Sequence, residues 1–553
     1  MIAVVGNTTG LKSRQLKALE RLGKKSVSPH EIIGREAARS LAVLSTELNR
    51  QLGLLIHRSG RVETVIVGDF NRIVIPVLSN IRTAGGRLRG LRCVHTTFTG
   101  KGVSEEDIMD MACLRLDLIS VLTMKDGLPD LLYSAHLLPA AQDNRFWLPL
   151  APEHSASPNQ SCLELIEAVE SEFVRLGTGT DVDRGRDRAL LISVTTGSRI
   201  RAEESLDELA ELARSAGVQV LDKIIQRRKK IHPRFILGRG KLMDIMLMSL
   251  RLNANLLLFD QELSPSQVRS VTDHTDLRVI DRTQLILDIF AGRAKSREGK
   301  LQIEMAQLKY MLPRLSSRDD ALSRLTGGIG ARGPGETRLE IDRRRINDRI
   351  ARLGRELKAV GRQRYHRRNR RRKRDVPVIS LVGYTNAGKS TLLNTLTASN
   401  IQAEDLLFAT LDPTSRRLRF PRDREVIITD TVGFIRNLPA ELLKAFASTL
   451  EELQEADLLL HVIDISSPSW RQKMGVVEEL LMDLGLDRIA RLNVYNKIDR
   501  VRETGDDVSL PGDGVCISAT RATTLSSLLE EAERLLERSP AFQAVQFPGN
   551  VRT

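Results

Sequence analysis

The sequence predicts a multidomain α/β protein, and three observations predict it. Strand-like and helix-like runs take turns from residue 186 to about 292. Two long charged helical patterns flank a glycine-rich stretch between 293 and 365. A strand, a glycine loop and a helix then open a second alternating region, 377–540. The expected layout is a mostly parallel sheet flanked by helices in that last region. Before it come a small parallel α/β domain and a long antiparallel helical hairpin. Residues 1–185 read as an N-terminal α/β extension, 366–376 as a basic linker and 541–553 as a tail.

A chain of 553 residues has room for several cores. Its four cysteines are scattered, without metal-ligand pairing or disulfide density, which suits a reducing compartment. No secretory leader pattern and no apolar run of membrane-spanning length is visible, so a cytoplasmic protein without a membrane span is expected. The net charge of +14 is concentrated. Residues 376–553 hold 19 Lys and Arg against 25 Asp and Glu, a balance of −6, whereas 293–374 hold 26 against 9, a balance of +17. That central segment ends in GRQRYHRRNRRRKR, 361–374. A cluster so dense fits a polyphosphate partner, because each neutralised phosphate releases counterions. It has no interleaved Trp or Leu for a membrane interface, so nucleic acid is the expected partner.

In the extension, VETVIVGDF and LRCVHTTF read as strands. RCVHTTFTGKGVSEEDI faintly resembles a JAMM metallohydrolase motif, with His95 and Ser104-x-x-Asp107, but Thr97 stands where a second histidine ligand belongs. SEED is equally a helix start, a capping serine followed by acids. A docking or regulatory domain is the expected role, and a metallohydrolase is the rival function. Next come the strand RALLISVTT, the helix SLDELAELARSAG, the strands VQVLDKII and RFIL, and the helix GKLMDIMLMSLRLN. The strand ANLLLFD, the helix SPSQVRSVTDHT and the strand LRVID close the small domain.

In the hairpin's second helix, Leu339, Ile346, Ile350, Leu353, Leu357 and Val360 recur at helical spacing and form one apolar seam for a partner helix. Pro313 is expected to kink or divide the first helix. The tip, GGIGARGPG (327–335), carries five glycines in nine positions. Backbone without side chains can approach a crowded surface, and Arg332 can meet phosphate or stack on a base. Gly330, Arg332 and Gly333, with Arg343, Arg344 and Arg345 behind them, are the candidate RNA contacts.

VPVISLVGYTNAGKST places Gly383-x-x-x-x-Gly388-Lys389-Ser390 between a strand and a helix. Glycines let amides wrap phosphates at a helix N-terminus, a lysine adds charge and a serine hydroxyl reaches Mg²⁺. Gly383, Tyr384, Thr385, Asn386, Ala387, Gly388, Lys389 and Ser390 are thus nucleotide candidates. FATLDPT contributes Phe408, Ala409, Thr410, Leu411 and Asp412, with Thr410 as second Mg²⁺ ligand. DTVG contributes Asp430, Thr431, Val432 and Gly433, whose N–H faces the γ-phosphate. NKID contributes Asn496, Lys497, Ile498 and Asp499, whose carboxylate matches guanine's two donors. Ser518, Ala519 and Thr520 complete the base end. Four elements in order mark a P-loop GTPase domain, with Lys389, Thr410, Gly433 and Asn386 as catalytic candidates. Phe434 stands where Ras-like enzymes place a water-orienting glutamine. Asn386 either helps hold a K⁺ ion between the phosphates, as in similar GTPases, or simply suits the turn.

From about residue 186 onward the chain resembles the HflX family of ribosome-associated GTPases. The glycine loop, GYTNAGKST, FATLDPT, DTVGFIRNLP and NKID carry the likeness. The resemblance implies binding to the large ribosomal subunit and its rRNA, splitting or rescue of ribosomes under stress, and a loop directed at the peptidyl-transferase centre. It also implies GTP and GDP as ligands, Mg²⁺ as cofactor and a monomer away from the ribosome. Family members are further associated with RNA remodelling and with ATP at the N-terminal α/β part. There RFILGRGKL (234–242) offers a helix N-terminus, though without Walker spacing it reads as a fold element.

Overall fold

The computed structural model describes residues 3–75, 88–142, 145–154, 161–176, 187–272, 275, 277–326, 338–372, 376–397, 407–408, 414–420, 425–431, 433–436, 453–504 and 512–537. The chain forms two compact units, one of Met1–Asp207 with Gly217–Asp281 and one of Glu208–Ala216 with Arg282–Thr553.

The first unit holds two sheets. The larger contains β1 (Ala3–Gly6), β2 (Leu52–His57), β3 (Val62–Val67), β4 (Leu91–Thr97), β5 (Leu118–Lys125), β6 (Leu128–Gln142) and β7 (Arg145–Pro149), in the order β1-β3-β2-β4-β5-β6-β7, with β8 (Glu153–His154) against β6. The predicted strands VETVIVGDF and LRCVHTTF are β3 and β4. The pairs β1–β3 and β4–β5 are parallel and the others antiparallel. Side chains alternate across a strand, so neighbours in β2 enter different cores. Leu54 joins Leu19 and Leu22 of α1 (Ser13–Gly23) and Leu41 of α2 (Arg35–Leu48). Leu55 joins Ile108 and Met111 of α3 (Glu105–Cys113). Ser104 caps α3 by accepting from the Asp107 N–H, in a capping box with the Asp107 carboxylate, as SEED predicted. A further helix, α4 (Cys162–Leu176), contributes Ile166 to the first core and Phe173 to the second.

The smaller sheet is wholly parallel, in the order β10 (Gln219–Arg227), β9 (Arg188–Thr195), β11 (Leu256–Phe259), β12 (Arg278–Asp281). The alternation read from the sequence gives this topology, with α5 (Arg199–Ser215), α6 (Arg239–Arg251) and α7 (Pro265–Thr272) interleaved. RFIL, expected as a strand, is irregular backbone. The Arg228 guanidinium takes the Phe235 and Ile236 carbonyls at 3.1 and 3.3 Å, so these carbonyls bond a side chain and the segment pairs with no strand. Helices α3 and α6 share a core, where Leu247 and Leu250 meet Ile108 and Met111. Arg115 adds bonds to the Ser249 hydroxyl and Ala254 carbonyl at 3.2 and 3.5 Å.

The second unit begins its main run with α8 (Arg282–Arg293), followed by α9 (Arg297–Thr326) and α10 (Arg338–Arg372). The predicted seam packs the last two together: Leu353 is fully buried, Ile346, Ile350, Leu357 and Val360 are partly buried, and Leu301, Ile303 and Ala306 are buried on α9. A bidentate Arg349–Glu304 pair at 2.7 and 2.9 Å joins the helices. Pro313 does not end α9, which runs through it. The second sheet of alternating origin has the order β14 (Thr414–Arg419), β15 (Glu425–Asp430), β13 (Val378–Gly383), β16 (Leu458–Asp464), β17 (Ala490–Asn496), β18 (Gly514–Cys516). All neighbours are parallel except β14–β15. Among the described residues the domain's α-helices are α11 (Lys389–Thr397), α12 (Trp470–Asp483), α13 (Ile498–Thr504) and α14 (Ser526–Leu536). The mixed α/β architecture with a mostly parallel sheet agrees with the sequence reading.

Candidate active site

The site forms where β13 turns into α11, outside the carboxyl end of the central strand. Two glycines are sterically required. A Cβ on Gly383 (φ +152°) would lie 2.3 Å from the Val462 carbonyl oxygen, and one on Gly388 (φ +93°) 2.3 Å from Asn496 Nδ2. Between them exposed Asn386 adopts φ 60°, a left-handed turn that asparagine tolerates.

Lys389 is buried at the start of α11, where its Nζ donates to the Gly383 and Tyr384 carbonyls at 3.1 and 2.9 Å. Burial pushes its pKa down to about 8, partly offset by the Asp430 charge. Ser390 Oγ lies 2.7 Å from the Asp430 carboxylate. Thr431 Oγ1 donates to the Leu381 carbonyl at 2.6 Å. A Cβ on Gly433 would come within 2.9 Å of Thr385 and 3.1 Å of Lys389 Nζ, so any side chain here would crowd the glycine loop and its lysine. The Thr385 N–H donates to the Phe434 carbonyl at 2.8 Å and the Phe434 N–H to the Gly383 carbonyl at 3.1 Å. The Phe434 side chain is buried, so this residue offers backbone rather than a water-orienting group.

At the other end, Asn496 Nδ2 donates to the Ala387 carbonyl at 2.8 Å, and its Oδ1 accepts from the Ala519 N–H at 2.9 Å. Lys497 (φ 65°) bonds the Asn386 carbonyl at 2.9 Å and Asp464 at 2.7 Å. Asp499 is half-buried in the first turn of α13 next to Ile498. Ser518 and Thr520 share a hydroxyl contact of 2.9 Å. Asn496 thereby ties Ala519 to the glycine loop, and Lys497 adds a second link from NKID to that loop.

Ala409, Thr410, Leu411, Asp412 and Val432 lie outside the described residues, as do Gly330, Arg332 and Gly333. Phe408 is buried, φ 59°, with its ring centroid 4.6 Å from that of Phe290 on α8. Arg343, Arg344 and Arg345 are exposed in the first turns of α10.

In sequence Tyr384 stands out only as part of the glycine loop. Its buried hydroxyl accepts from the Arg436 N–H at 2.9 Å and donates to Glu208, which also pairs with Arg282. Burial, then Glu208, push the phenol pKa up. An aromatic hydroxyl where small residues suffice was the available signal. Asp464, the partner of Lys497, was also missed.

The JAMM-like residues do not fit zinc. His95 Nε2 bonds Asp107 directly at 2.9 Å, and Thr97 Oγ1 bonds Thr99 at 2.9 Å. Among the described residues no group of three or more His, Cys, Asp or Glu could hold a metal ion. Burial opposes ionisation of Asp107, but the His95 bond and charge outweigh it and hold the carboxyl low.

Three family models match in series: a GTP-binding GTPase N-terminal model at 203–291, a GTP-binding GTPase middle region at 293–371 and a 50S ribosome-binding GTPase model at 378–497. The GTPase HflX of Caldanaerobacter subterraneus subsp. tengcongensis is 47% identical over 370 residues, 66% of this chain and 85% of that protein. The chain belongs to the HflX family of GTPases. The GTPase HflX of Escherichia coli is likewise 47% identical, over 54% of this chain and 70% of its own. A GTP-binding protein from Sulfolobus solfataricus, solved in complex with GDP, is 26% identical, covering 64% of this chain and 99% of that one, with a TM-score of 0.35. As an HflX GTPase the protein converts GTP to GDP and phosphate. Such GTPases generally use Mg²⁺, and the oxygen donors of Ser390 and Asp430 are of the type that ion selects.

Proposed function

We propose that this HflX protein is a GTP-switched factor of the large ribosomal subunit that splits or rescues ribosomes. The observation that carries the proposal is the pair α9–α10 with Arg343, Arg344 and Arg345 exposed, joined in sequence by the glycine-rich stretch 327–335. The match of 378–497 to a 50S ribosome-binding GTPase model supports it. In this reading, amides of Gly383–Ser390 wrap the phosphates and Lys389 neutralises them. Ser390 and Thr410 would hold Mg²⁺, which would supply positive charge to the phosphate oxygens when bound. The Gly433 N–H meets the γ-phosphate, Asp499 reads guanine, and Ser518, Ala519 and Thr520 border the base. The loop 327–335 contacts rRNA while the basic hairpin supplies salt-dependent affinity.

The test is co-sedimentation with large subunits in GTP, GDP and a non-hydrolysable analogue, followed by shortening 327–335 to a three-residue turn. Binding is expected to be strongest with the analogue. The shortened protein should keep intrinsic hydrolysis and lose ribosome-stimulated hydrolysis and splitting. Normal splitting by the shortened protein refutes the proposal.

A further inference from the structure

The loop between β10 and α6, in the first unit, carries a basic and aromatic surface that the nucleotide site does not use. From Lys223 to Met243 the sequence has eight Lys and Arg and no Asp or Glu. Three of these cations are committed elsewhere. Lys223 pairs with Asp207 at 2.5 Å, Lys241 faces Asp244 at 3.8 Å, and Arg228 turns inward to the loop's own carbonyls. Arg227, Lys229, Lys230 and Arg234 are exposed.

Among them stands Phe235, 45% exposed, with the Arg234 guanidinium 5.3 Å from its ring centroid and the His232 ring at 5.4 Å. The loop is fastened in place. His232 Nδ1 accepts from the Arg234 and Phe235 N–H groups at 3.1 and 3.2 Å, and Gln267 Nε2 donates to the His232 carbonyl at 3.2 Å. The Ser264 and Ser266 hydroxyls reach the Pro233 carbonyl at 3.4 and 3.3 Å. Buried Ile236 and Leu237 anchor the next two positions. A phenylalanine free to collapse would cover its ring, yet this one is held out in water by the bonds around it.

We infer that this loop binds single-stranded RNA, Phe235 stacking on an unpaired base while Arg227, Lys229, Lys230 and Arg234 meet the flanking phosphates. An aromatic face accepts any base, and nearby cations supply the backbone attraction. A duplex presents no free base face, which makes unpaired RNA the fitting partner. The surface belongs to the first unit and the hairpin to the second, and the inference does not depend on ribosome splitting.

The experiment uses the full chain and a fluorescein-labelled oligouridylate of about twelve nucleotides, within the span of such sites. Phe235→Ala and Phe235→Leu are each expected to weaken binding about fivefold or more, the loss typical of one stacked base. Leucine keeps the apolar bulk, so loss in both variants isolates stacking from folding. Replacing the four exposed cations by alanine should weaken binding and flatten its salt dependence by up to about three in log–log slope. Hydrolysis of GTP without RNA stays unchanged in all of them. A parallel Arg343→Ala, Arg344→Ala, Arg345→Ala variant keeps the hairpin apart. Wild-type affinity in Phe235→Leu, or oligouridylate binding lost only with the hairpin substitutions, overturns the inference. Equal displacement of RNA by polyglutamate from wild type and Phe235→Leu overturns it too, since a charged surface alone would then suffice.

Discussion

Raising the pH from 7 to 8.5 titrates the Lys389 ammonium of the candidate nucleotide site. It is buried against two carbonyls, and its pKa in the nucleotide-free protein falls from 10.5 to about 8, because burial penalises the charge more than Asp430 repays. A bound polyphosphate stabilises the ammonium and restores the higher pKa. Binding therefore selects the charged form, takes up a proton, and weakens as pH rises through 8. The charged fraction of free protein falls from about nine-tenths at pH 7 to about a quarter at pH 8.5, so GDP affinity should drop about fourfold, close to 1 kcal/mol. Titration with a fluorescent GDP analogue reads the affinity. Calorimetry at pH 8.5 in two buffers of different ionisation enthalpy reads the proton, with uptake of about three-quarters of one expected. Affinity unchanged between the two pH values, with no proton uptake, would refute the burial argument for Lys389.

Other outcomes are expected at the same site and in the hairpin. Asp499→Asn should shift preference from GTP toward xanthosine triphosphate, because an amide complements a carbonyl where guanine carries its amine; competition between the two nucleotides measures it. A K⁺ ion beside Asn386 should raise turnover in potassium over sodium, and equal rates would leave Asn386 as a turn residue, the role its φ of 60° already suits. Tyr384→Phe removes a buried acceptor from the Arg436 N–H and a donor to Glu208, which should cost about 1–3 kcal/mol in thermal or denaturant unfolding. Leu353→Ala, at the fully buried centre of the seam, should cost about 2–5 kcal/mol and appear as faster amide exchange along α9 and α10, with GTP binding retained.

The strand, glycine loop and helix at 378–397 were legible because residue type and spacing there are set locally, and NKID does fold against that loop. The hairpin seam was legible for a local reason, since six apolar residues at helical spacing define one face without reference to any other part of the chain. The pairing of Tyr384 with Glu208 was not, because it joins residues 176 positions apart and neither side chain announces the other. RFIL misled for the opposite reason. Its apolar run suits a strand, but Arg228 takes two of its carbonyls. In residues 1–185 the strands could be read one at a time, whereas the order β1-β3-β2-β4-β5-β6-β7 depends on long-range pairing that periodicity does not encode.

The core shared by α3 and α6 gives the extension a different standing from that of an appendage. The family models begin at residue 203, so by sequence the extension lies outside the family's common part. By packing it does not, because Leu247 and Leu250 of α6 are buried beside Ile108 and Met111, and Arg115 reaches across to Ser249 and Ala254. A protein cut before β9 would expose that apolar face of α6 to water and invite self-association. The two segments can be gained or lost as text but not as bodies, and any change at their boundary is answerable to both cores at once.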